Sequence, residues 1–130
     1  MSRPRVAISG SRTFTDRTLV ERIVDRLIER GAKILVPCSD SGCAAGVDTF
    51  VHERVAQRDA DHDLFIAQWK RYGKRAGFMR NETMIRKATE LVAIMATGPS
   101  PGTSHALLCA QRLGITMHVF YDGKWTSLTA

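Results

Sequence analysis

Apolar and polar positions follow two patterns along this chain, one typical of buried β-strands and one typical of amphipathic helices. Short apolar segments rich in β-branched residues recur at intervals of about thirty residues, as expected for strands that are covered on both faces. The predicted strands span residues 6–9, 34–36, 64–67, 91–96 and 117–121. Residues 124–128 are expected to add a short edge strand.

Helical spacing of apolar residues fills the segments between these strands. The clearest predicted helix covers residues 16–30 and ends before Gly31. The other helices have apolar faces at residues 47, 51 and 55, at residues 84, 85 and 88, and at residues 106–113 before Gly114. Because strands and helices alternate, we predict an α/β fold: a Rossmann-like three-layer sandwich of about five parallel strands with helices on both faces.

Length and composition suit one domain over residues 1–130, of which 44% are hydrophobic. The apolar runs are far shorter than the ~20 residues that a bilayer span needs, and the first residues show no hydrophobic signal region. We therefore expect a cytoplasmic protein without a membrane partner. Three cysteines without a framework spacing favour reduced thiols. Zinc ligands are usually more closely paired than Cys38, Cys43 and His52, so no metal and no cofactor is expected.

A net charge of +6 favours acidic partners such as nucleotides, nucleic acid or other anions. Composition does not choose among them. Much of the excess arginine falls between acidic residues in the first predicted helix, where a solvated helix face explains it.

The unusual segments of the chain all follow strands. In an open parallel sheet, ligands bind outside the carboxyl ends of the strands, where helix amino termini direct free N–H groups outward. Glycine, serine and threonine at such junctions let backbone amides approach a phosphate. The opposite connections look like plain turns. The sequence therefore predicts a phosphate-binding edge with these candidate ligand-binding residues: Gly10, Ser11, Arg12, Ser41, Gly42, Gly46, Asp48, Trp69, Arg80, Asn81, Ser100, Gly102 and Thr103.

Roles follow from the chemistry of these side chains, and each has a structural alternative. Arg12 and Arg80 suit the anionic part of a ligand because a guanidinium donates two parallel hydrogen bonds. Trp69 is expected to stack on a base or to anchor the core, and Asp48 to accept from a ribose hydroxyl or to serve as a helix-start charge. Thr103 either holds phosphate or caps its helix. Neither a Walker lysine motif nor a complete G-x-G-x-x-G is present, which disfavours P-loop hydrolysis and standard dinucleotide binding.

Four segments in one order resemble the SLOG superfamily over most of the chain: Gly10-Ser11-Arg12, Gly42 to Asp48, Arg80-Asn81-Glu82 and Pro101-Gly102-Thr103. The small YspA-like proteins of that superfamily are the most similar in length. The resemblance implies a Rossmann-like fold and a nucleotide-derived ligand. It also favours a homodimer.

Two other branches of the superfamily supply alternative functions. Ser41 to Asp48 followed by His52, and Phe78-Met79-Arg80-Asn81, are similar to segments of DprA, which implies single-stranded DNA as a partner. Arg80 and the Gly102-Thr103 helix start resemble the Lonely Guy phosphoribohydrolases, which implies hydrolysis of the N-glycosidic bond of a nucleoside phosphate. Their carboxylate after the Gly-Thr pair is replaced here by Ser104, His105 and Ala106.

The favoured prediction is therefore binding of a nucleotide or nucleotide-derived ligand, as a sensor or carrier, and no catalytic residue is assigned. The basic segment of residues 70–75 is expected to be a loop that acts either as a lid over this ligand or as a track for a nucleic-acid backbone.

Overall fold

Five parallel strands and one antiparallel strand form the sheet of this computed structural model, which describes residues 3–129. The strand order is β3-β2-β1-β4-β5-β6, and β6 pairs antiparallel with β5. The strands are β1 (Arg5–Gly10), β2 (Lys33–Ser39), β3 (His62–Ala67), β4 (Glu90–Met95), β5 (Thr116–Tyr121) and β6 (Lys124–Leu128). All five predicted strands and the edge strand are present.

Helices connect the parallel strands. They are α1 (Arg17–Glu29), α2 (Val47–Gln57), α3 (Trp69–Tyr72), α4 (Ala76–Lys87) and α5 (Pro101–Leu113). The α1 helix begins where the Asp16 carboxylate accepts a hydrogen bond from the Leu19 N–H at 3.1 Å. The α5 helix ends at Gly114, whose left-handed conformation is typical of a helix stop. Within residues 3–129, no helix combines the length and apolar character that a membrane span requires.

Two buried clusters cover the two faces of the sheet. Alternate strand residues such as Val6 and Ile8 pack on one face against α1 and α2. The residues between them, such as Ala7, pack with Leu35 on the other face against α4 and α5. Because both faces of the sheet are covered at its centre, β1, β2 and β4 each have a continuous buried stretch, whereas the outer strands β3 and β6 are largely exposed. The predicted three-layer sandwich is confirmed.

The order of the strands opens a space at one edge of the sheet. From β1 the chain moves to β2 and β3 on one side, then crosses to β4 on the other side of β1. The connections that leave β1 and β4 therefore diverge at the carboxyl edge. Ligands of open α/β sheets bind at such a switch point.

The basic segment differs from its prediction as a loop. Residues 69–72 form α3, and Gly73–Arg75 form a 3₁₀ turn that leads into α4. A Cβ added at Gly77 would lie 3.3 Å from the Trp69 ring, so this glycine gives the indole a place to pack. Because α4 begins at Ala76, Arg80 lies in its second turn and not at its start.

Candidate functional site

A cavity of about 850 Å³ lies at the carboxyl edge of the sheet. Eleven of the thirteen predicted site residues line it: Gly10, Arg12, Ser41, Gly42, Asp48, Trp69, Arg80, Asn81, Ser100, Gly102 and Thr103. These residues come from four separate connections, which the parallel topology brings together at one edge. Whether they bind a ligand stays a prediction.

The floor of the cavity is formed where β1 passes between β4 and α2. A Cβ at Gly10 would lie 2.4 Å from Val47 Cγ2 and 2.5 Å from the Ile94 carbonyl oxygen, so only glycine fits there. The preceding Ser9 hydroxyl lies 3.4 Å from the Thr103 hydroxyl. This contact ties the floor to the first turn of α5.

The other two predicted site residues, Ser11 and Gly46, are buried and outside the cavity lining. The Ser11 hydroxyl donates to Ser100 Oγ at 3.2 Å and accepts from the Ala96 N–H at 3.0 Å. Gly46 has φ +78°, and a Cβ there would lie 2.4 Å from the Ser11 carbonyl oxygen. Both residues therefore hold the connections that carry the lining.

Asp48 is the acidic residue of the site and is only 7% exposed. Burial raises the pKa of its carboxyl to about 7, against the opposing effects of the Arg80 guanidinium, the Gly10 backbone and the Arg12 guanidinium. Its Oδ1 atom is buried and has no hydrogen-bond partner among the described residues. A buried carboxyl of this kind can hold or release a proton near neutral pH.

Arg80 joins three parts of the site. Its Nη1 donates to the Cys38 carbonyl at the end of β2 at 2.7 Å, and its Nε donates to the Asn81 side-chain oxygen at 3.2 Å. Burial lowers the pKa of this guanidinium, which remains charged because its ordinary pKa is so high. Among residues 3–129, its Nη2 donates to no protein atom, which leaves donors for an anion in the cavity.

The first turn of α5 offers backbone donors. Pro101 has no N–H, and the first α-helical bond here runs from the Ser104 N–H to the Ser100 carbonyl at 2.9 Å. The amides of Gly102 and Thr103 precede that bond and have no intrahelical acceptor. Nothing lies within 4 Å of a Cβ built at Gly102, so the helix start is open. Such a terminus binds anions well.

Aromatic side chains form the rim of the cavity. Trp69 lines it and is 38% exposed, so it is not the buried core anchor that the sequence left open. Phe78 also belongs to the lining and packs on the His105 ring with 4.3 Å between ring centroids. Burial lowers the pKa of His105, which lies outside the lining.

Five lining residues with hydroxyl, amino or aromatic side chains were missed by the sequence prediction: Ser9, Thr13, Ser39, Lys74 and Phe78. Ser9 lies inside an apolar strand, where nothing marks a functional residue. Phe78 belongs to the segment that resembles DprA, and its place beside Arg80 and Asn81 in that segment was the signal that could have identified it.

The expectation of three reduced thiols is wrong for two of them, since Cys38 and Cys43 form a disulfide and Cys109 is free and buried. The loop between the paired cysteines is tightly folded. The Ser39 hydroxyl donates to the Gly42 carbonyl at 2.6 Å and accepts from the Ser41 N–H at 3.1 Å. This turn brings the two cysteine Cα atoms to 4.2 Å, which spacing in the sequence did not indicate.

The parallel sheet and its crossover order define a Rossmann-like protein, and a helix start, two guanidiniums and aromatic side chains lie at the carboxyl edge where ligands of such folds bind. Comparison with known proteins agrees with this class. Residues 4–72 match the model of the YspA, cpYpsA-related SLOG family. The Gene 61 protein of Mycobacterium phage D29 is 32% identical over 124 residues, which cover 91% of this chain and 97% of that protein. The chain belongs to the YspA, cpYpsA-related SLOG family, as the order of its motifs predicted.

Proposed function

We propose that this protein binds a nucleotide or a nucleotide-derived phosphate ligand at the carboxyl edge of its sheet, as a sensor or carrier. The observation that carries the proposal is the convergence on one cavity of the unpaired α5 amides at Gly102 and Thr103 with the Arg12 and Arg80 guanidiniums. Family membership supports a nucleotide-related ligand at the same coarse level.

The cavity divides into a polar and an aromatic part. Phosphate oxygens accept from the α5 amides and from the free donors of Arg80, where the helix dipole adds attraction. Trp69 at the rim provides a flat apolar surface on which a base stacks. The volume of about 850 Å³ lies within the ~300–1,000 Å³ typical of small-molecule sites.

Thermal unfolding in the presence of nucleoside mono-, di- and triphosphates, cyclic nucleotides and ADP-ribose-like nucleotides tests the proposal. A ligand at a hundred times its Kd stabilises the folded state by about 2.7 kcal/mol. At least one nucleotide is expected to raise the Tm while adenosine and guanosine do not, because the phosphate carries the contacts.

The Arg12→Ala variant assigns the binding to this cavity. Arg12 is exposed and makes no hydrogen bond or ion pair among the described residues, so its removal leaves stability nearly unchanged. We expect nucleotide affinity to fall about tenfold or more, as for loss of a charge-assisted contact. Arg22→Ala removes the same charge from the exposed surface of α1 and serves as the matched control. Equal affinity of the two variants would place the binding site elsewhere.

A second candidate function is hydrolysis of the N-glycosidic bond of a nucleoside phosphate. It is favoured by Asp48, the one carboxylate in the described lining, whose pKa of about 7 gives it both protonation states near neutral pH. An ionised carboxylate stabilises an oxocarbenium-like sugar, and a neutral one protonates the leaving base. Release of free base, measured chromatographically and lost in Asp48→Asn without loss of nucleotide binding, distinguishes this enzyme from a carrier.

A further inference from the structure

Two cysteines and a histidine meet in the wall of the cavity. Cys38 is the second-last residue of β2, Cys43 follows in the next connection, and His52 lies in the second turn of α2. The two sulfurs and one imidazole nitrogen all lie within 4.8 Å of one another. We propose that reduction of the Cys38–Cys43 disulfide converts these three residues into a binding site for a thiophilic divalent cation such as Zn²⁺.

The spacing suits tetrahedral coordination. Zn–S bonds of about 2.3 Å and Zn–N bonds of about 2.0 Å place ligand atoms roughly 3.5–3.8 Å apart. Separations within 4.8 Å therefore reach this geometry through small side-chain rotations once the sulfurs are no longer bonded. Two thiolates and one imidazole are a ligand set that zinc uses in proteins.

A purely structural disulfide does not explain the position of His52. A disulfide needs only its two sulfurs, but here an imidazole nitrogen lies beside both of them. The His52 ring is half-buried and makes no hydrogen bond within residues 3–129, so its nitrogens have no other protein partner. A third donor held against a cysteine pair is what a metal site requires.

The fourth coordination position opens towards the cavity. Cys38 and Cys43 line the cavity, whereas His52 is not part of the lining. An ion held by the three side chains therefore keeps a free position on the cavity side, as in sites where a bound water or ligand completes the shell. The charges also agree: two thiolates neutralise the ion, which offsets repulsion from the nearby Arg80 guanidinium.

The change from disulfide to metal site balances with a dithiol as the reductant. The Cys38–Cys43 bond breaks and takes up two electrons and two protons, while the two thiols of the reductant become a disulfide. Metal binding then replaces the two thiol protons, which are released to solvent. The two states use the same sulfur atoms and exclude each other.

Cobalt(II) is the probe, because its spectrum reports both geometry and thiolate ligation. The protein is reduced with a dithiol, desalted without oxygen and titrated with Co²⁺. We expect one ion per chain, thiolate-to-cobalt charge-transfer absorption, the visible bands of tetrahedral Co²⁺, and their loss when Zn²⁺ is added. The oxidised protein is expected to show none of these signals.

Variants assign the ligands. Cys38→Ser and Cys43→Ser are expected to abolish the charge-transfer band, and His52→Gln to weaken Co²⁺ binding at least about tenfold through loss of one ligand. Cys109→Ser, which removes the buried cysteine of α5, is the matched control and should leave the titration unchanged.

Absence of tetrahedral Co²⁺ binding by the reduced protein overturns the proposal, and so does loss of the signal in Cys109→Ser. The comparison of reduced with oxidised protein needs no variant, so the test stands even where a substitution impairs folding. It also needs no nucleotide, and its outcome is independent of the proposed function.

Discussion

Two glycines shape the connection between β2 and α2 because they lack a Cβ atom. At Gly46 the backbone has φ +78°, and a Cβ would meet the Ser11 and Arg12 carbonyl groups. Gly42 also has a positive φ, of +104°, but its Cβ would meet nothing within 4 Å. The pair separates the effect of backbone strain from the effect of close packing.

We predict that Gly46→Ala destabilises the fold by at least about 3 kcal/mol, because strain of about 1–3 kcal/mol adds to a clash with backbone atoms. Gly42→Ala is expected to cost only the strain. Urea unfolding of both variants checks this. Equal losses would show that the close approach to Ser11 is unimportant.

Asp48 makes stability depend on pH. Its carboxyl has a pKa of about 7 in the folded protein and 3.8 as its ordinary value. Below about pH 4 the group is neutral in both states and burial costs little. Between about pH 4 and pH 7 the unfolded chain ionises first, so folding stability falls as pH rises, by roughly 4 kcal/mol in total.

We predict that Asp48→Asn removes this fall, because the amide is neutral at every pH. Urea unfolding free energies of both proteins, measured from about pH 4 to about pH 8, provide the check. The two curves should converge at the acidic end and separate towards neutral pH, with the variant more stable. Parallel curves would mean that Asp48 ionises normally in the folded protein.

Much of the site could be predicted at the residue scale, because parallel strands bring all strand-to-helix connections to one edge. The order of strands and helices along the chain was therefore enough to predict that Gly10, Arg80 and Thr103 lie at the same edge of the sheet. The sequence did not separate residues that face the cavity from those behind it, such as Ser11. That distinction depends on backbone direction within a turn, which residue type does not determine.

At the scale of secondary-structure elements, a short chain of hydrogen bonds connects α4 to α5. Asn81, which is 1% exposed, donates from Nδ2 to the Gly102 carbonyl at 3.0 Å and accepts from Arg80 Nε. The first turn of α5 is thus held at a fixed distance from the guanidinium. Sequence patterns predicted both helices but not this contact, because it joins the Asn81 side chain to a backbone carbonyl 21 residues further along the chain.

We predict that Asn81→Ala destabilises the protein by about 1–3 kcal/mol, since it removes the side-chain hydrogen bond to the Gly102 carbonyl and leaves the Arg80 Nε without its acceptor. Nucleotide affinity should fall as well, because α5 is no longer fixed. Thr83→Ala on the exposed side of α4 is the control, with an expected change within about 0.5 kcal/mol. Calorimetric binding and urea unfolding measure the two effects. Unchanged affinity in Asn81→Ala would separate the helix contact from ligand binding.

The α3 segment shows where element prediction reached its limit. Lysine, arginine and glycine dominate residues 70–75 and resemble a solvated loop, yet the segment forms a short helix and a 3₁₀ turn. The Trp69 ring packs close to Gly77, and a contact of this kind leaves no periodic signal in the sequence.

Association into a homodimer stays a prediction from the family resemblance.

At the scale of the whole molecule, the net charge of +6 raises the question of whether the protein binds nucleic acid. The basic residues can be tested in two groups, because the described cavity contains three of them, Arg12, Lys74 and Arg80. Lys70 and Arg71 of α3 lie outside the lining, with exposed side chains.

We predict that the double variant Lys70→Glu, Arg71→Glu keeps its affinity for the stabilising nucleotide within about threefold, because surface charges beyond the contact are screened within about 10 Å.

A short single-stranded oligonucleotide that bound along this α3 surface would behave differently. Its binding would fall steeply with salt, with a slope of about −0.7 per phosphate contacted, and would be lost in the double variant. Titrations of both ligands at about 50 mM and about 200 mM salt compare the two modes. Nucleotide binding that resists salt places recognition in the cavity. Oligonucleotide binding alone, steep in salt and absent in the double variant, would instead make the basic α3 surface the functional one.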